Sequence, residues 1–173
     1  MILGNICTRN CSFCGVAQSE KKTLNLDENE PYRISQIVKL FNLKFVVITS
    51  VTRDDLSDGG AMQFAKTIGL LHSIDKNIKI EILIPDFSGN IASIKTVIDA
   101  KPSILAHNME TVKRLYKTIR PKANYQTSLD ILKESKEINP LLITKSSLIL
   151  GLGESEEEII YTMEDLRSNQ CDI

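Results

Sequence analysis

Three of the four cysteines of this 173-residue chain fall within eight residues: Cys7, Cys11 and Cys14, in C-x3-C-x2-C spacing, with Phe13 just before the last. Thiolates so close along the chain can converge on one inorganic centre, and the natural candidate is an iron–sulfur cluster. A four-iron cube usually takes four cysteines. The loop offers three, so one iron is left without a local protein ligand. An open coordination position marks a metal site that binds substrate, as in catalytic zinc sites. The spacing therefore predicts a cluster that grips a small molecule through its free iron. Two plainer readings compete. A structural zinc site would want a fourth Cys or His nearby, whereas His72 and His107 are far along the chain. A disulfide would need an oxidising compartment, and no signal peptide precedes the loop.

The loop must be held by something, and the hydrophobic pattern says what. Met1–Asn5 is a short apolar run and a candidate first strand, with the cysteine loop directly after it. Ser19–Glu30 is polar and reads as loop. Pro31 suits a first helical turn, and Ile34, Ile37, Val38 and Phe41 recur at helical spacing. Lys44–Thr49 carries Phe-Val-Val-Ile, a run that predicts a strand buried on both faces. Phe64, Ile68 and Leu71 mark a second helix, Ile78–Ile84 a third strand, and Ile91, Ile94, Val97 and Ile98 a third helix. Ser103–Ala106 predicts a short strand. Val112, Leu115 and Tyr116 predict a helix, and Leu129 and Leu132 another, starting near Ser128. Lys145–Leu150 predicts a fifth strand. Ser155 and Glu158 form a capping box that opens the last helix. Cys171-Asp172-Ile173 then starts a sixth strand that is cut off.

Strand and helix alternate throughout, which predicts a parallel sheet with right-handed crossovers. A closed or partly closed (β/α) barrel and an open doubly wound sheet both fit, and in either the chemistry gathers at the carboxyl ends of the strands. The polar residues fall there: the cysteine loop, Ser50–Asp58 with Gly59-Gly60, Asp86, Asn108 with Glu110, and Gly151–Glu154. Cys171 precedes its strand, so it belongs at the opposite end, where a packed thiol is its expected role. Asn108 and Glu110 offer an amide and a carboxylate that could bind a ribose diol, or Asn108 could cap a helix. His107 reads as a packed, satisfied histidine. Gly151-x-Gly153 is a weak signal. Glu154, Glu156, Glu157 and Glu158 follow it and would repel a phosphate, so it reads as close approach to an uncharged ligand group or as a tight turn. Arg9 and Asn10 read as solvated loop residues; Arg53, Arg120 and Lys145 could pair with a carboxylate or with a partner domain, but surface cations are usually just solvated, and that is the expectation for them.

Composition sets bounds on all this. Hydrophobic residues make up 42% and charged residues 25%, which is usual for a globular protein. A formal net charge of -1 does not predict nucleic-acid binding, and no apolar run reaches the length of a membrane span. The expectation is one domain over 1–173 in a reducing compartment, cytoplasmic, or a mitochondrial or plastid matrix in a eukaryote.

The motif Cys7-x3-Cys11-x2-Cys14 resembles the signature of radical S-adenosylmethionine (SAM) enzymes. Met1–Gly4, Val47–Leu56, Asp58–Gly60, Pro85–Phe87, His107–Thr111, Arg120-Pro121, Thr144–Ser146 and Gly151–Glu154 together resemble one family within it, the lipoyl synthases. The resemblance implies a partial (β/α) barrel with parallel strands and outer helices, truncated before its sixth strand is complete. It implies that Cys7, Cys11 and Cys14 hold a 4Fe-4S cluster whose fourth iron chelates SAM. One electron then cleaves SAM to a 5′-deoxyadenosyl radical. It places Thr49, Ser50, Asn108, Glu110, Gly151 and Gly153 near SAM, with Asn108 and Glu110 towards its ribose and the two glycines towards its adenine. The implied reaction inserts two sulfur atoms into an octanoyl chain carried by a lipoyl domain or a glycine-cleavage H protein, with a reducing electron donor. Those C–H bonds offer no acidity to a side-chain base, so a cofactor must do the hard step. The family also carries an auxiliary 4Fe-4S cluster as sulfur source, and no second cysteine triplet occurs here. The resemblance thus implies a core incomplete at both ends, retaining the SAM-cluster part. The alternatives are another radical SAM enzyme, such as a biotin synthase-like sulfur inserter, or a non-catalytic iron–sulfur or zinc protein.

Overall fold

The computed structural model describes residues 1–19 and 24–173. The elements are β1 (Ile6–Cys7), β2 (Ala17–Gln18), α1 (Glu30–Leu40), β3 (Phe45–Thr49), α2 (Ala61–Ile74), β4 (Lys79–Leu83), α3 (Ile91–Asp99), β5 (Ile104–Ala106), α4 (Tyr116–Ile119), α5 (Tyr125–Ile138), β6 (Ile143–Lys145) and α6 (Glu156–Ser168), with 3-10 turns at Phe87–Gly89 and Lys113–Leu115. The loop expected over Ser19–Glu30 is irregular chain from 24 to 29; residues 20–23 of that expectation lie outside the described residues.

The main sheet is parallel in the order β3-β4-β5-β6, each strand lying beside its sequence neighbour. Helices cross over between them, as parallel pairing requires. The sheet extends by one position at each edge. Ile2 bridges to Ser50 beside β3, and the 171–173 segment bonds along β6 through Ser146 N to Ile173 O and Asp172 N to Thr144 O. The result is a partial (β/α) barrel. Among the described residues no helix is long and apolar enough to cross a membrane.

Side-chain alternation splits the sheet into two faces. Val46 and Ile48, Ile80 and Ile82, and Leu105 turn outward and meet the apolar stripes of α2 and α3, with Phe64, Ile68, Leu71, Ile94 and Val97 in one buried cluster. Burying each of these side chains fully, as Ile48, Ile80, Ile82 and Leu105 are, contributes roughly 1.5–3 kcal/mol. The inner face is different. Val47 is 53% exposed and Phe45 50%, which corrects the expectation that this strand is buried on both faces. The β-branched run had matched a doubly covered strand, but only one side has helices against it.

Three boundaries also move. The strand expected over Met1–Asn5 shrinks to the single Ile2 bridge, because Leu3 and Gly4 adopt φ of 68° and 88° and swing the chain into the cysteine loop. The strand expected over Lys145–Leu150 instead starts at Ile143 and ends at Lys145, with an isolated bridge from Leu148 to Glu110. The helix expected near Ser128 begins at Tyr125, since Asn124 caps it by accepting a hydrogen bond from Thr127 N.

The turn before α2 shows how the N-terminal residues are fixed. Gly60 caps the helix at φ 92°, and a Cβ there would sit 2.4 Å from Leu3 Cδ1. Glycine thus serves the left-handed turn and makes room for Leu3, which is buried. Arg53, also buried, donates to Asp55 through two bonds of 2.7 Å, to Leu24 O at 2.8 Å and to Leu3 O at 3.2 Å. It is a structural tie, not the solvated cation expected. The fork satisfies loop carbonyls that burial would otherwise strand.

Candidate active site

A cavity of about 170 Å³ opens at the carboxyl ends of the main-sheet strands. Cys7, Cys11 and Cys14 line one wall. Arg9 and Phe13 of the same loop line it too, with Met1, Val16, Thr49–Thr52 at the end of β3, Leu83–Pro85 at the end of β4, His107, Asn108 and Glu110 after β5, and Arg120 after α4. Seven of the nine predicted site residues therefore share one cavity. Gly151 and Gly153 do not line it, and nor does Cys171, which is buried with its thiol donating to Ile173 O at 3.3 Å.

The cysteine loop is pinned from several sides. Thr8 N donates to Thr52 O at 3.1 Å, Ser12 N donates to Ile119 O at 2.9 Å, and Lys122 donates to Thr8 O at 3.0 Å. Arg9 is 7% exposed and paired with both Asp54 and Asp86, which overturns its expected role as a solvated loop residue. Burial works against the Cys11 thiolate and raises its pKa, with neighbouring thiols adding to the rise, while the nearby Arg120 charge opposes it. Among the described residues no three His, Cys, Asp or Glu side chains stand close enough to hold a single ion. A four-iron cube makes another demand: each thiolate binds a different iron, so the sulfurs surround the cluster instead of meeting at a point. Three soft thiolate donors on one wall suit iron–sulfur ligation.

The part of the lining that follows β5 is polar. Asn108 Nδ2 donates to Glu110 Oε1 at 3.1 Å. The next helical turn starts at Lys113, with Val112 at its cap, so Asn108 caps nothing. Glu110 holds a φ of 64°, rare for a non-glycine residue. Its backbone is fixed there by bonds from its N to Ser147 O and from Ile149 N to its carbonyl. Burial raises the pKa of its carboxyl, and the Asn108 bond only partly offsets that. His107 is fully buried. Its Nδ1 lies 2.9 Å from Ile84 O and its Nε2 3.0 Å from Ser128 Oγ. Desolvation, with the Arg120 charge next, lowers its pKa to about 4. It is a neutral structural histidine, donating through Nδ1 and accepting from Ser128.

Arg120 is 8% exposed, against the expectation of a solvated cation. Its Nη1 donates to Asn108 O, Met109 O and Tyr116 OH, each at 3.0 Å, and its guanidinium lies 5.2 Å from the Tyr116 ring centroid. Its Nε has no partner, and neither does the buried Ser50 Oγ. Two orphaned polar atoms on a cavity that also carries three thiols fit a polar ligand beside a cluster. Lys145 pairs with Glu81 at 2.9 Å on the inner face of the sheet. Sequence reasoning missed the buried arginines because a lone cation carries no periodicity. For Arg9 the one local hint was its place inside the cysteine motif; Asp54 and Asp86, in the loops after β3 and β4, become its partners only through folding.

The Gly151–Glu154 loop closes on itself. Gly151 and Gly153 have φ of 94° and 107°, and a Cβ at either meets nothing within 4 Å. The glycines are needed for the turn, not for a close approach within this chain. Glu154 accepts hydrogen bonds from Gly151 N and, at 2.8 Å, from Leu152 N.

The family model for the radical SAM superfamily matches residues 1–166. Among curated relatives, the chain is 53% identical to a lipoyl synthase from Caldanaerobacter subterraneus over all of its own length and 60% of the relative's. It is 56% identical to one from Aquifex aeolicus over 99% of its length and 62% of the relative's. The chain thus spans about 60% of the length of these relatives. Its fold is similar to that of the FeFe-hydrogenase maturase HydG from Carboxydothermus hydrogenoformans, with a TM-score of 0.76 at 16% identity over 97% of this chain and 40% of that one. Coproporphyrinogen III oxidase from Escherichia coli, described as a radical SAM enzyme, gives a TM-score of 0.68 at 14% identity over 96% of this chain and 40% of the other. A cysteine triplet at the mouth of a parallel sheet, polar residues in the same cavity and a family match over nearly the whole chain lead to one assignment: this chain belongs to the radical SAM superfamily, which implies a 4Fe-4S cluster and SAM as its cofactors.

Proposed function

We propose that residues 1–173 form a single radical SAM core unit that serves a lipoyl synthase-type reaction, the insertion of two sulfur atoms into an octanoyl chain held on a carrier domain. The observation that carries this reading is the shared cavity. It brings Cys7, Cys11 and Cys14 into one cavity with Ser50, Asn108 and Glu110, in a chain about half identical to lipoyl synthases over its full length.

Cys7, Cys11 and Cys14 would hold a 4Fe-4S cluster. Together with SAM, that cluster supplies the one-electron reductive chemistry that side-chain acids and bases cannot provide. The side chains do the rest. Thr49 and Ser50 present hydroxyls at the end of β3, and the unpartnered Ser50 Oγ is free to bond a polar group of SAM. Glu110, held by Asn108, turns a carboxylate to the cavity and suits a ribose diol. The loop carrying Gly151 and Gly153 lies apart from this cavity, so its role towards adenine requires a ligand that extends beyond it. Leu83, Ile84 and Pro85 give part of the lining an apolar surface, which would help keep water from a reactive intermediate.

The auxiliary cluster of the family, the octanoylated lipoyl domain or H protein, and the electron donor belong to the same reading, and the reducing compartment it requires is a cytoplasm or organelle matrix. The test is anaerobic reconstitution with iron and sulfide, followed by SAM titration. The reading expects a brown protein with close to four irons bound per chain, as a 4Fe-4S cube requires, whose cluster spectrum changes when SAM is added. A zinc-loaded, colourless product, or a cluster indifferent to SAM, would favour a non-catalytic metal protein instead.

A further inference from the structure

The residues between the first two cysteines carry a device that the assignment does not use. Arg9 makes two forks. Towards Asp54, Nε donates to Oδ2 at 3.0 Å and Nη2 to Oδ1 at 2.9 Å. Towards Asp86, Nη2 donates to Oδ1 at 2.5 Å and Nη1 to Oδ2. Asp54 follows β3 and Asp86 follows β4, so one guanidinium joins the cysteine loop to the ends of two adjacent strands. Both carboxylates are themselves fixed. Asp54 accepts from Thr8 Oγ1 at 2.9 Å, and Asp86 accepts from Ser88 N at 2.9 Å. Asp86 is buried along with Arg9.

The backbone of the same residue touches a ligand. Arg9 N donates to Cys7 Sγ at 3.4 Å. Hydrogen bonds to cysteine sulfur help to set the reduction potential of an iron–sulfur cluster. The side chain of Arg9 therefore fixes the position of an amide that its own backbone directs at the Cys7 sulfur.

We infer that Arg9 is a positioning residue for the cluster, whose double fork to Asp54 and Asp86 holds the Cys7–Cys11 turn in place and keeps its own amide on the Cys7 sulfur. This rests on the reading of Cys7, Cys11 and Cys14 as cluster ligands. A planar guanidinium can satisfy two carboxylates at once through paired bonds; an ammonium has the charge without the fork. Lysine at this position would keep the charge balance and still loosen the turn.

The test uses the full chain in three forms: wild type, Arg9→Lys and Asp54→Asn. Circular dichroism and thermal melting report folding before any metal is added. After anaerobic reconstitution, two quantities are read: the rate of iron loss to a chelator and the midpoint potential of the cluster in a potentiometric titration. Arg9→Lys is expected to keep the fold, to lose iron about tenfold faster, in line with other residues that orient metal ligands, and to have a lower midpoint potential because the amide no longer steadies the reduced cluster. Asp54→Asn should shift both quantities in the same direction by less, since the Asp86 fork remains. A general loss of stability would not move the potential of the cluster that survives. A wild-type chain that takes up no cluster overturns the underlying reading and this inference with it. A wild type that loads normally, with variants that match it in both iron retention and potential, overturns the inference alone.

Discussion

The two faces of the main sheet have the same strands and the same backbone bonds, yet they do different work. The outer face presents Ile48, Ile80, Ile82 and Leu105 to helices, all of them buried. The inner face presents half-exposed Phe45 and Val47 and the Glu81–Lys145 pair. At its carboxyl end it passes into the cavity through Thr49 and Leu83. Period-two alternation lets one strand serve both purposes, with stability on one side and chemistry on the other. Changes on the outer face should therefore cost folding energy, and changes on the inner face should cost little until they reach the rim.

The largest expected effect is on the outer face. Ile82→Ala should lower the unfolding free energy by about 2–5 kcal/mol in denaturant titrations, as buried truncations that leave a cavity do. An equal cost for Val47→Ala would erase the distinction between the faces.

A pH titration of stability sharpens the comparison at the rim. The buried His107 has its pKa lowered to about 4, chiefly by desolvation. The unfolded chain binds a proton there near 6.5, and the folded chain does not until about 4. The contribution is thus fully present above 6.5 and is lost as pH falls towards 4, up to about 3 kcal/mol over that window. His107→Asn should flatten this slope, and a slope that persists unchanged in the variant would point to other groups.

Gly60→Ala is the next in size. It forces a side chain onto a left-handed turn and against Leu3, and should cost about 1–3 kcal/mol by thermal melting. The smallest effect belongs to the inner face. Val47→Thr keeps the β-branched shape at a half-exposed position and should change stability by no more than about 0.5 kcal/mol.

The same contrast explains what was legible in the sequence. Ile78–Ile84, Phe64, Ile68 and Leu71 announced their strand and helix because outer-face packing imposes a period on the residues that make it. The cysteine triplet was legible because its spacing is itself the chemistry. Val47 and Phe45 misled, since a strand with one open face can carry the same β-branched residues as a strand with none. Arg9, Arg53 and Arg120 were hidden for another reason. Apart from Asp55 beside Arg53 and Tyr116 one turn before Arg120, their partners, Asp54 and Asp86, the carbonyls of Leu3 and Leu24, and those of Asn108 and Met109, are brought to them from elsewhere in the chain or by the local turn. Only folding brings them together. The turn at Leu3 was equally hidden, because nothing in Ile2-Leu3-Gly4 tells that the leucine, and not only the glycine, takes a positive φ.

The central claim is that three thiolates at this rim hold a cluster with one iron left for SAM. Hyperfine spectroscopy of the reduced, reconstituted chain with SAM isotopically labelled in its methionyl amine and carboxylate tests it most directly. The account predicts coupling from the labelled atoms to the cluster, lost in Cys11→Ala. A fully loaded cluster that shows no coupling to either label would contradict it.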